Sequence, residues 1–90
     1  MNNKGFIPKQ TLKVLVQEVD DEVLILDRNQ NQIHQLNAMA SLIWKKCNGI
    51  NTVESIVKEL VNDYEISYED AEKDVVDTIH LFCDHNLLEK

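Results

Sequence analysis

The hydrophobic period of this chain changes at Asn37. Over Ile33-His34-Gln35-Leu36 apolar and polar residues alternate; over Ala38-Met39-Ala40-Ser41-Leu42-Ile43-Trp44 the apolar residues fall at helical spacing. Period two belongs to a strand and period 3.6 to a helix. An Asn at the changeover supplies the side-chain acceptor that the orphan N–H groups of a first helical turn require. The chain is thereby divided into a strand-forming part and a helix-forming part.

Before Asn37, residues 12–19 alternate and are rich in β-branched side chains, and Val23-Leu24-Ile25-Leu26-Asp27 is a continuous apolar run. Both read as strands, the second a central one. Residues 32–36 make a short third strand. Asp20-Asp21-Glu22 and Arg28-Asn29-Gln30-Asn31 are the turns, and an Asn there can take the left-handed conformation usually left to Gly. The predicted product is an antiparallel meander.

After Asn37 the spacing predicts three helices. The first covers residues 37–47, with a wide apolar arc that leaves Ser41, Lys45 and Asn48 outside, and Gly49 follows it as a C′ residue. The second is the cleanest: Val53, Ile56, Val57, Leu60, Val61 and Tyr64 lie at i, i+3, i+4, i+7, i+8 and i+11, capped by Asn51 or Thr52. The third starts after Ser67, which forms a capping-box variant with Asp70, and reaches residue 85 or 86. A β-β-β-α-α-α order packs most economically as a small three-stranded antiparallel sheet on three helices, an α+β arrangement of winged-helix type.

A chain of 90 residues with 43% apolar content supports one domain with an adequate core. Residues 1–10 read as a flexible arm and 11–90 as the domain. The N-terminus carries no apolar signal segment, and no run is long enough to span a bilayer. Two cysteines without an export signal imply reduced thiols in a cytoplasm. The net charge is −7. From Asp63 to Asp77 the acids Glu65, Glu69, Asp70, Glu72 and Asp74 meet only Lys73. Such a field repels phosphate backbones and anionic membranes, so neither nucleic acid nor membrane is an expected partner. It serves either as a solvated face or as a surface for a basic partner.

On the third helix, Tyr68, Ala71, Val75, Thr78, Ile79 and Phe82 share the core face. Val76, Cys83 and Leu87 form a second apolar set about 100° round the wheel, with Glu72 and His80 beside them. That flank is either a wide core or the wall of a groove. Leu81 and Leu88 fall in neither set. His80-x-x-Cys83-x-His85 has His and Cys at neighbouring positions, but four ligands for Zn²⁺ are not in view. No nucleophile, base and orienting group converge, and Cys83 is expected to be mostly buried. No metal, cofactor or catalytic residue is assigned, and no enzymatic activity is expected. A winged-helix DNA-binding regulator is the alternative, disfavoured because the third helix lacks the Lys and Arg of a recognition helix. A scaffold for a folded partner is a third reading.

The block Leu36-Asn37-x-x-Ala40-x-x-Ile43-Trp44, then Gly49, the ladder Val53/Ile56/Leu60/Tyr64, Asp74-Val75 and the closing Leu87-Leu88, resembles the PqqD family. These are small recognition domains, or peptide chaperones, of pathways that modify ribosomally made peptides. The resemblance runs from the first strand to the C-terminus. It departs from the family at Asn29, Asn31 and Asn86, where Gly is common. It implies a domain that binds the leader of a precursor peptide as an added strand on the third strand. Leader side chains would then settle between that strand and the third helix. The edge would be Gln32, Ile33, His34, Gln35 and Leu36, and the wall Val76, His80 and Cys83 with Glu72 and Leu87. The domain would present the leader to a modifying enzyme, often a radical SAM enzyme. A monomer or weak homodimer is expected, since a free edge can also pair with a second copy.

Overall fold

Three short polar side chains start the three helices of the computed structural model, which describes residues 5–89. Asn37 Oδ1 accepts the N–H of Ala40 at 2.8 Å, Thr52 Oγ1 that of Ser55 at 3.1 Å, and Ser67 Oγ that of Asp70 at 3.1 Å. Each satisfies an N–H that the first turn leaves without an intrahelical partner. The helices are α1 (Ala38–Lys46), α2 (Val53–Tyr64) and α3 (Tyr68–Asp84). The strands are β1 (Leu15–Val19), β2 (Glu22–Asp27) and β3 (Gln32–Gln35), antiparallel in the order β1-β2-β3. The predicted α+β order is the observed one.

Turn chemistry sets the registers. Asp20 and Asp21 both take positive φ, so β1 folds back on β2 with Val19 opposite Glu22. At the other end the Asp27 carboxylate accepts the N–H groups of Asn29 and Gln30, and Asn31 turns left-handed at φ 54°. Asn86 does the same at φ 59° after α3. Two of the three Asn residues that replace family glycines therefore sit in glycine's conformation.

The inner face of the sheet carries Val23 and Ile25, which are buried against α1. Ser41 links helix to sheet: its hydroxyl accepts the Val23 N–H at 2.8 Å and donates to the Leu36 carbonyl at 3.2 Å. Although it lies outside the apolar arc of α1, Ser41 is completely buried. Trp44 and Phe82 join α1 to α3 edge to face, with ring centroids 5.3 Å apart. The α2 ladder buries Val53, Ile56, Val57 and Leu60, and α3 buries Ala71, Val75, Ile79 and Phe82.

The expected arm over residues 1–10 requires correction where it is described; residues 1–4 lie outside the described part. The carbonyls of Phe6 and Pro8 accept from Val53 N–H and Gly49 N–H, and Gln10 N–H donates to the Cys47 carbonyl. Glu89 N–H donates to the Lys9 carbonyl and Thr11 N–H to the Leu87 carbonyl. The segment is stitched between the α1–α2 loop and the C-terminus, and Pro8 is buried. The same ties shorten β1. Thr11 bonds to the C-terminal segment rather than to β2, so residues 12–14 bend into the sheet and the strand starts at Leu15.

Candidate functional site

β3 is the last strand of its sheet, so one side of its backbone has no strand partner among the described residues. Leu36 N–H donates to the Val23 carbonyl at 2.9 Å. In an antiparallel ladder inward and outward backbone groups alternate, so His34 faces β2 while Ile33 and Gln35 turn their N–H and C=O groups to the open edge. Gln32, Ile33 and Gln35 are exposed, and Ile33 shows 70% of its surface.

The edge stands beside the C-terminal end of α3. The His34 ring lies 4.6 Å from that of His85, tilted by 51°. Gln30 Nε2 donates to the His85 carbonyl at 3.3 Å, tying the β2–β3 turn to the same point. His34 Nε2 is buried without a hydrogen-bond partner among the described residues. Asp74, Thr78 and Leu81 share the His85 side of α3 at helical spacing, and Leu81 is 50% exposed. Beside the β3 edge there are thus two imidazoles in contact and, on the same flank of α3 by helical spacing, an apolar side chain open to solvent.

The predicted wall is on the other flank. Val76, His80 and Cys83 come together, but with Ile79, Val53 and Phe6 around an apolar hollow of about 210 Å³. That flank faces the start of α2 and the N-terminal segment. Cys83 and His85 are two residues apart, which is about 200° round a helix, so one side of α3 cannot serve both places. Glu72 is half-buried on the Val76 side. Two further expectations are corrected: Leu36 and Leu87 are core residues, 6% and 1% exposed, with no surface to offer a ligand. Leu36 closes the β3 ladder, and Leu87 is drawn under α3 by its N–H bond to the Phe82 carbonyl. His85, Leu81, Thr78 and Asp74, the flank of α3 beside β3, are not among the residues expected from the sequence to line the site. Helical spacing groups them, but nothing in the sequence says which flank of α3 meets β3.

The two thiols differ. Cys47 is buried with its Sγ–H on the Ile43 carbonyl, and burial, with the neighbouring Cys83 adding to it, pushes its pKa up to about 12. Cys83 is exposed, against expectation, and its pKa is raised by partial burial and by Asp84. Neither thiol is activated as a nucleophile. Lys73 is held above the usual lysine range by its hydrogen bond to Asp77 and by the charge of that carboxylate. Among the described residues no cluster of three or more His, Cys, Asp or Glu could hold a metal ion. No helix among them is long and apolar enough to cross a membrane.

Residues 22–88 match the family model described as Coenzyme PQQ synthesis protein D (PqqD). The chain is similar to the solved structure of TbiB1 in complex with the TbiA(beta) leader peptide, with TM-score 0.82 and 27% identity, covering 90% of this chain and 94% of that one. It has the same fold as lasso peptide synthetase B1 complexed with the leader peptide, with TM-score 0.83 and 20% identity, covering 93% and 99% of the two chains. Among curated proteins, none matches.

Proposed function

This chain belongs to the PqqD family, and from that membership we propose that it is a non-catalytic recognition domain for the leader of a ribosomally made precursor peptide. One observation carries the reading: the open β3 edge, with the backbone of Ile33 and Gln35 turned outward, lies beside the His34–His85 contact and the exposed Leu81. A leader strand added there gains backbone hydrogen bonds, and every second side chain enters the cleft. The leader complex of the similar TbiB1 chain supports this choice of ligand.

On this reading the edge residues are Gln32, Ile33, His34 and Gln35. The wall is His85, Leu81, Thr78 and Asp74. The domain hands the leader to a peptide-modifying enzyme in the cytoplasm, where an exposed thiol such as Cys83 stays reduced. The regulator alternative finds no support on α3. Its exposed side bears Glu69, Asp70, Asp74, Asp77 and Asp84, and its one lysine is already paired with Asp77.

Titration of the ¹⁵N-labelled domain with the leader of the precursor encoded beside it tests the reading. Amide shifts are expected over residues 32–35 and over the 74, 78, 81 and 85 flank of α3. Binding that leaves both regions unshifted sinks it.

A further inference from the structure

The outer face of the sheet, turned away from α1, carries an apolar side chain in every row, with Gln17 and Gln35 beside Leu24 in the middle row and Glu22 beside Val19 in the last. Leu15 pairs with Leu26, and Leu26 with Ile33, so the three form one row across all three strands. Leu15 is 50% exposed and Ile33 70%. Leu24 follows in the next row and Val19, 60% exposed, in the one after. Leu12, 83% exposed, borders the hollow between Leu15 and Leu26. Isolated surface leucines are ordinary, but a contiguous apolar face rarely stays bare.

The charges at its two ends have opposite signs. Lys13 and Arg28 line the hollow at the Leu15–Leu26 end. Asp20, Asp21 and Glu22 stand at the β1–β2 turn, at the Val19 end. Among the described residues none of these five side chains has an ion-pair partner. A two-fold axis lying between two such faces and running across the strands reverses the strand direction of the second copy. It sets Leu15 over Val19 of the other copy, Leu24 near its own mate, and each basic end over an acidic end. Leu26 then lies over Glu22 of the other copy, and the surface is self-complementary in charge.

We infer that the occupant of this face is a second copy of the chain, the two sheets packing face to face in a two-fold dimer. The charge polarity selects a copy over an unrelated partner, because one reversal satisfies both ends at once. The contact uses the outer face of the sheet and shares only Ile33 with the proposed leader edge, through its side chain here and its backbone there.

Sedimentation velocity from micromolar to millimolar protein tests this. Wild type is expected to dimerise with rising concentration, more strongly at low salt. Leu15→Asp should weaken the dimer by at least about tenfold, because it removes an apolar contact and sets a carboxylate opposite the acidic end of the other copy. Arg28→Glu and Glu22→Lys should each weaken self-association, while their equimolar mixture should associate more tightly than either alone. Unchanged circular dichroism and melting show that the variants fold. A chain that stays monomeric at every concentration overturns the proposal. So does a dimer indifferent to Leu15→Asp, or a mixture no tighter than its components.

Discussion

The imidazoles of His34 on β3 and His85 at the end of α3 lie 4.6 Å apart, inclined at 51°. This contact fixes which flank of α3 faces the open strand edge. His80 and Leu81 are adjacent in sequence and both exposed, yet Leu81 shares the His85 flank of α3 by helical spacing while His80 lines the hollow on the other flank. Leu81→Asp is expected to weaken leader binding by tenfold or more, about 1.4 kcal/mol, by placing a charge where leader side chains enter. His80→Asp should leave the affinity within about twofold, near the limit of non-contact surface changes. Isothermal titration of the two variants against one leader decides the matter, and the reverse ranking would restore the Val76/His80/Cys83 flank.

Strand addition makes a backbone prediction. Gln35→Pro removes an N–H that faces the open edge and leaves the β2–β3 ladder intact, so the fold should survive while leader binding is lost. His34→Pro removes an N–H turned toward β2 and should destabilise the domain itself. Chemical denaturation beside the binding titration separates the two outcomes. If Gln35→Pro binds as wild type does, the leader does not pair with β3.

Ser41 offers a test of the core. Its buried hydroxyl serves the Val23 N–H and the Leu36 carbonyl together. Ser41→Ala leaves both without a partner, and leaving one such group unsatisfied costs roughly 1–3 kcal/mol. The melting temperature should fall by about 4–8 °C for each kcal/mol lost in a domain of this size.

The thiols give a pH signature. An unfolded Cys47 ionises near 9.0, whereas the folded one keeps its proton to about 12. The unfolded state therefore binds fewer protons in that window, so stability is full below about 9 and falls as pH rises toward 12, by at most about 1.4 kcal/mol per pH unit. Cys47→Ala should flatten that part of a stability profile measured by denaturant titration. Cys83 alone should react with a thiol reagent in the folded protein, more slowly than a free cysteine at the same pH because its own pKa is raised. Two reactive thiols in the native state would contradict the burial of Cys47.

Local chemistry was legible in the residues themselves. The caps Asn37, Thr52 and Ser67, the left-handed turns at Asn31 and Asn86 and the α2 ladder act within a few residues, where periodicity and side-chain hydrogen bonding decide the backbone. The order of strands and helices follows from them, and so does the family, through the Leu36–Trp44 block. The tertiary structure alone decided what meets across the fold. Ser41 reads as polar surface on a wheel but is buried because two backbone groups of the sheet converge on it. Residues 6–10 read as an arm but are held by carbonyls and amides far along the chain. The two flanks of α3 are similar in composition, and only the docking of α2 and the N-terminal segment on one side leaves the other to β3. A helix wheel gives angles between residues, not the direction in which a neighbouring element lies, and the flank of α3 beside the β3 edge depends on that direction.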